Sequence, residues 1–202
     1  MSENINEIFL ELVRDIEDPD ESVRRIAIEE LGDLGNEASV VPMVELLKKE
    51  RNMGVLEAIG DALPKIRGKK TVSLLLPLLD SRDASIRNLV CEILISIGTE
   101  SLECLVEQLS NPDKDIRKFI IDVMGEIGSR DVVKPLVDCV DDRDINVACS
   151  AIESLGKIGD KRAVPALMKA VVNGDPDKAY YAITALGKIN DVGISAHGHK
   201  LN

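Results

Sequence analysis

Apolar residues along this chain step by threes and fours, in blocks that close on a recurring phrase. The stretch Arg130–Val140 sets Val133, Leu136, Val137 and Val140 on one flank, the spacing of an amphipathic helix. Asp141, Asp142, Arg143 and Asp144 interrupt it, and Asp is a strong N-cap for a helix that follows. Ile145–Ile158 then carries Val147, Ala151, Leu155 and Ile158 on one face, and Gly159 ends it. The unit is a first helix, an acidic turn, a second helix and a glycine turn. The same frame places second helices near Asp20–Leu34, Asn52–Ile66, Asp83–Ile97, Asp113–Ile127, Asp144–Ile158 and Asp175–Ile189. A first helix precedes each, beginning with Asn4–Glu17.

The closing phrases are LGDLG at Leu31–Gly35, LPKIR at Leu63–Arg67, LISIG at Leu94–Gly98, MGEIG at Met124–Gly128, LGKIG at Leu155–Gly159 and LGKIN at Leu186–Asn190. Their last residues are 32, 31, 30, 31 and 31 apart. A fixed period of this length is the mark of a stacked array. The expectation is an all-α fold, an α-solenoid or superhelix of six antiparallel helix pairs. The repeats span about 4–35, 36–67, 68–98, 99–128, 129–159 and 160–190, as one array over 1–190 with an irregular tail at 191–202. The second pair departs from the pattern. Asn52-Met-Gly54 replaces the acidic turn, and Pro64 stands inside the second helix, where it should kink it. Pro42, Pro135 and Pro165 lie early in first helices, where proline is tolerated.

Composition narrows the function. Apolar residues make up 45% of the chain, but there are only two Phe, two Tyr and no Trp, so the core is aliphatic. A net charge of −11 argues against a general nucleic-acid binder, because phosphate contacts need clustered Lys and Arg. No stretch approaches the roughly 20 apolar residues that span a bilayer. Cys91, Cys104, Cys139 and Cys149 include no close pair of the metal or redox kind, which points to a reducing, cytoplasmic setting. Cys91, Cys104 and Cys139 fall in core registers, while Cys149 is placed to face a groove. Lys65, Arg67, Lys69 and Lys70 form a basic knuckle read as a solvated turn. His197 and His199 are too few for a structural metal site, so no metal or cofactor is expected.

The phrases Asp18-Pro-Asp-Glu-Ser-Val-Arg24, Ala84-Ser-Ile-Arg87 and Asn111-Pro-Asp-Lys-Asp-Ile-Arg117, each followed by its closing phrase, resemble the short HEAT-like repeat of the phycobilisome-lyase type. The likeness covers about residues 4 to 190. It implies a ladder between neighbouring repeats, made by turn acids and the arginines Arg24, Arg87 and Arg117. Leu56, Ala148 and Ala179 stand in the arginine position of the other repeats and should break it. The family implies protein scaffolds, chromophore-lyase subunits and a few enzymes. Deoxyhypusine hydroxylase, an enzymatic relative, uses paired His-Glu motifs, and this chain has no such pair.

The resemblance also implies that the second helices line the concave face. Six residues before each phrase end stand Glu29, Asp61, Glu92, Asp122, Glu153 and Thr184, five acids in register. Nine residues before it stand Ile26, Ala58, Leu89, Phe119, Ser150 and Tyr181, a mostly apolar row one turn away, with Tyr180 beside its end. The expected function is a non-catalytic scaffold or adaptor whose groove takes a basic, partly apolar segment of another protein. The alternative is a subunit of a chromophore or cofactor lyase, with the Phe119, Tyr180 and Tyr181 end as its cleft. Weak self-association is expected through the C-terminal repeat, which lacks the polar cover of Ser2-Glu-Asn-Ile-Asn-Glu7 at the start.

Overall fold

The computed structural model describes residues 2–173 and 175–198, with side chains for 6–173 and 175–190. Among them no strand occurs. The chain divides into two compact units, Met1–Ser101 and Leu102–Asn202.

The first unit contains α1 (Ser2–Asp15), α2 (Glu21–Leu34), α3 (Val40–Lys49), α4 (Met53–Ile66), α5 (Gly68–Leu75) and α6 (Ala84–Ile97). Helix α1 packs on α2 and α3 on α4, while α5, extended by the 3-10 stretch Leu76–Asp80, lies against α6. The second helices pack side by side, α2 on α4 and α4 on α6. The second unit repeats this scheme with α7 (Leu102–Gln108), α8 (Lys114–Ile127), α9 (Val133–Cys139), α10 (Ile145–Ile158), α11 (Val164–Asn173) and α12 (Pro176–Gly198). There α8, α10 and α12 form the layer of second helices, backed by α7, α9 and α11.

Local chemistry sets the ends of the second helices. Asp20, Asp83 and Asp113 each accept the backbone N–H two residues on, and Asp144 accepts those of Asn146 and Val147. Asn52 does the same work for α4 by accepting the Val55 N–H, so the missing acid leaves the start of α4 capped. Gly35, Gly128 and Gly159 close α2, α8 and α10 in the left-handed region. Pro64 does not break α4, which runs on to Ile66. The proline lies in the last turn, where only the bond to the Gly60 carbonyl is lost. The first helices are less regular than their periodicity suggests. The stretch expected as one helix over Arg130–Val140 is a 3-10 turn, Arg130–Val132, followed by α9. Helix α12 also departs from expectation: it continues to Gly198, past the predicted irregular start at 191, and residues 199–202 lie outside the described residues.

The cores are aliphatic. In the first unit Ile28, Leu31, Leu47, Ile59, Leu63 and Leu94 are fully buried; in the second, Leu105, Ile120, Met124, Leu136, Ile152 and Leu155. Of the residues just before the phrase ends, all expected in the core, Ile97 and Ile189 are buried, Ile66, Ile127 and Ile158 are half-buried and Leu34 is exposed. Instead, the residue five before the end is buried in Ala62, Ile93, Val123, Ser154 and Ala185. Helices that pack on both flanks bury a wider stripe than a helix with one buried face.

Candidate functional site

The arginine nodes come first, because they fix the turns between helix pairs. Arg24 on α2 donates from Nε to Glu50 Oε2 at 2.9 Å, and from a terminal nitrogen to the carbonyls of Asp18 and Pro19. Arg117 on α8 makes a two-pronged contact with Asp142, at 2.9 and 2.8 Å, and donates to the carbonyls of Asn111 and Pro112. Arg87 on α6 donates to the Ser81 carbonyl at 2.6 Å. Each arginine reaches the carbonyl six positions back, and Arg24 and Arg117 also reach the one five back, so the guanidinium staples its own turn. Glu50 and Asp142 also accept backbone N–H groups that start the next helix, from Arg51 and Asn52 and from Asp144. Burial alone would raise both carboxyl groups. For Glu50 the backbone hydrogen bonds of Asn52 and Arg51, then Arg24, hold it below its usual range; for Asp142 Arg117 and the Asp144 N–H do so. Arg117 is buried, and Arg24 and Arg87 are half-buried.

The acid row lies on the second-helix layer. In the first unit Glu29, Asp61 and Glu92 are exposed on α2, α4 and α6. Lys65 reaches Asp33 at 2.6 Å. That hydrogen bond, with the nearby charges of Asp61 and Glu29, keeps its ammonium above the usual lysine range. In the second unit Asp122 pairs with Lys118 at 2.6 Å. Lys157 meets Glu126 at 2.7 Å and Glu153 at 3.6 Å, and these carboxylates raise it as well. A lysine therefore reaches an acid of the preceding second helix in both units, and in the second unit Lys157 also meets Glu153 on its own helix. The acid register alone does not reveal this compensation. It was legible two residues before the phrase ends, where Asp33, Lys65, Ser96, Glu126, Lys157 and Lys188 stand in the same register.

The row nine residues before the ends is not an exposed apolar stripe. Ala58 and Ser150 are buried, Leu89 and Phe119 are half-buried, and only Ile26 and Tyr181 are exposed. Leu89 lies against Gly60, close enough that a Cβ there would sit 2.9 Å from Leu89 Cδ1. The row falls at the joints between second helices, whose neighbours cover it. Ile26 instead lines a separate recess of about 400 Å³ with Ile8, Leu12 and Val23, between α1 and α2.

What the second unit does hold is a recess of about 580 Å³ across α8, α10 and α12. Asp122, Glu126, Glu153 and Asp177 line it, with Lys118, Lys157, Cys149 and Tyr181. Four carboxylates against two ammonium groups leave it negative. The Tyr181 ring stands edge-on to that of Tyr180, with centroids 5.6 Å apart and planes at 83°. Tyr180 is well exposed. Cys149 is buried in the recess wall, and burial, with Asp177, pushes its thiol up, away from the thiolate a nucleophile needs. On the opposite layer burial raises Cys139 to about 11. Cys104 is also buried, while Cys91, expected in the core, is half-buried. Among the described residues no group of three or more His, Cys, Asp or Glu side chains could hold a metal ion, and no helix is long and apolar enough to cross a membrane. His199 lies outside the described residues, as does the His197 side chain.

A family model of HEAT repeats matches residues 7–95 and 102–187, one span in each compact unit. No curated protein matches the sequence. Among solved structures, one chain from work on microtubule plus-end tracking by XMAP215, CLIP-170 and EB1 superposes with a TM-score of 0.60 at 18% identity, covering 88% of this chain and 89% of that one. A designed armadillo repeat protein in complex with the peptide (KR)4 gives 0.47 at 17% identity, over 89% and 98%. Human deoxyhypusine hydroxylase in complex with glycerol gives 0.49 at 14% identity, over 91% and 84%. At 18% identity the first of these likenesses is one of fold.

Proposed function

The chain belongs to the HEAT-repeat family, and we propose that it is a non-catalytic scaffold that binds a basic, partly apolar segment of another protein on its second-helix layer. The observation that carries this reading is the recess across α8, α10 and α12, where Asp122, Glu153 and Asp177 surround an exposed aromatic, Tyr181. Such a surface suits lysine or arginine side chains beside one bulky apolar group. Aromatic residues are frequent binding hot spots, and complementary charge speeds encounter. In the first unit, taken by itself, Glu29, Asp61 and Glu92 are exposed in the same acidic register. Leu89 and Phe119 are half-buried at the joints, Ile26 is exposed in its own recess beside α1, and Tyr180 lies beside Tyr181. The lyase-subunit alternative draws no support from this recess, whose lining is mainly charged.

A short fluorescent peptide repeating Lys-Phe-Lys-Ser serves as the probe. Its anisotropy on titration with the protein should rise, with an affinity that falls as salt increases, because screening acts over about 8 Å at physiological ionic strength. Asp122→Lys with Glu153→Lys should slow association and flatten the salt dependence. Tyr181→Ala should speed dissociation about tenfold or more if the ring is a hot spot. Equal binding by all three proteins, with unchanged circular dichroism, would refute the assignment.

A further inference from the structure

The recess across α8, α10 and α12 is uneven in its charge pairing. Asp122 meets Lys118, while Glu126 and Glu153 meet Lys157. Asp177, in the first turn of α12, lines the same recess and is exposed. Its carboxylate joins no ion pair or hydrogen bond among the described residues. The charge of Asp177 helps to raise the Cys149 thiol, so the carboxylate stands close to the wall formed by α10.

A second polar group on that wall is unmatched. Ser150 is 7% exposed and lines the recess, yet its hydroxyl has no hydrogen-bond partner among the described residues. Buried hydroxyls are normally hydrogen-bonded. The other buried serine of α10, Ser154, follows that rule and donates to the Ile121 carbonyl at 3.2 Å. Ser150 also breaks the pattern of its register, which holds Ile26, Ala58, Leu89 and Phe119 on the earlier second helices.

The unmatched groups share one end of the recess. Asn146 and Ser150 stand four residues apart on α10, and Asp177 and Tyr181 four apart on α12, so each pair shares a helix face with Cβ atoms about 5–6 Å apart. All four line the recess. Only the flank of α12 toward α10 is involved, since Leu89, in the register of Tyr181, likewise leans back on Gly60 of the helix before it.

A carboxylate, a hydroxyl and an amide oxygen beside an aromatic ring set acceptors in several directions. An ammonium meets them as a compact point with three donors. A guanidinium brings five N–H donors in a flat fork, takes a carboxylate with two of them, and lays its plane on an aromatic face. We propose that this end of the recess is an arginine subsite, in which an arginine of the bound protein segment sets its guanidinium against Asp177 and the Ser150 hydroxyl, with the Asn146 amide oxygen in reach and Tyr181 against its plane. The assignment rests on the recess binding a protein segment, and it names the side chain that enters.

Fluorescence anisotropy with two peptides of equal length and charge tests it, one repeating Lys-Phe-Lys-Ser and the other Arg-Phe-Arg-Ser. The arginine peptide should bind about tenfold tighter or more. Asp177→Asn and Ser150→Ala remove polar character without adding bulk, and each should cost the arginine peptide more than the lysine peptide, with circular dichroism as the folding control. Dimethylated arginines keep their charge but lose donors of the fork, and that peptide should fall to the level of the lysine one. Equal affinities for the arginine and lysine peptides would overturn the subsite and leave the scaffold reading standing. An arginine preference that survives both substitutions, or dimethylation, would also overturn it. Binding of neither peptide would overturn both readings.

Discussion

Helices α4 and α10 are the middle second helices of their units, equal in length at 14 residues, and they are held differently. Helix α10 starts on Asp144, sets Gly156 against Ala185, and ends on Gly159 at φ 71°. Helix α4 starts on Asn52, carries Pro64 where α10 has its packing glycine, and ends on Arg67 at φ 54°, ψ −161°. Arg67 is the one non-glycine residue with positive φ among the described residues. Each helix is preceded by an arginine clamp. Arg117 grips Asp142 with two nitrogens and is 4% exposed, while Arg24 grips Glu50 with one and is 15% exposed. One repeat pattern therefore tolerates several solutions at each joint, and the cost of a substitution should depend on which solution is present.

The clamps should show the largest effect. Asp142→Ala leaves a buried guanidinium without its carboxylate and should cost about 3–5 kcal/mol in chemical denaturation. Glu50→Ala should cost less, because Arg24 is more exposed and makes the single contact. Both carboxyl groups titrate below their usual range in the folded chain. Their contribution is complete above about pH 5 and is lost as pH falls through the depressed folded values. Stability should therefore drop on acidification below about pH 4, and Asp142→Asn should flatten that slope.

Next come the packing glycines. Gly156→Ala forces a Cβ to 2.8 Å from Ala185, and overpacking costs about 1–3 kcal/mol, more than alanine's helical advantage of up to about 1 kcal/mol. At Gly187 the added Cβ meets nothing within 4 Å, so the same substitution should stabilise by about 0.5–1 kcal/mol. Thermal unfolding of the two variants at low concentration checks the opposite signs.

An effect as small as that at Gly187 belongs to the end of α4. A non-glycine residue in this region of the backbone map carries about 1–3 kcal/mol of strain. The Arg67–Glu100 ion pair that substitution removes is exposed and worth about 0–1 kcal/mol. Arg67→Gly should therefore raise stability by about 1 kcal/mol and slow hydrogen exchange at the end of α4. An unchanged midpoint would show that the turn is unstrained.

The helix ends were legible in the sequence because their causes are local: an Asp or Asn side chain reaching the next N–H groups, and a glycine after the last turn. The exposure of Glu29, Asp61, Glu92 and Glu153 followed from register alone. The fate of Ala58, Leu89 and Ser150 did not. Periodicity gives the angle at which a side chain leaves its helix, whereas burial there depends on how near the neighbouring helix comes. That distance is set by small residues in two separate rows, Gly32, Gly125 and Gly156 facing Ala62, Ser154 and Ala185. Neither row predicts it alone. The lysines that bridge the acids were missed for a related reason, since Lys65 and Lys157 act across helices about one repeat apart.

If the second-helix layer binds protein, titration with the Lys-Phe-Lys-Ser peptide should give saturable backbone amide chemical-shift changes clustered on α8, α10 and α12 around Asp122, Glu153 and Tyr181, diminished in the Asp122→Lys, Glu153→Lys protein. Shifts confined to α7, α9 and α11, or none at high peptide concentration, would refute binding on this layer.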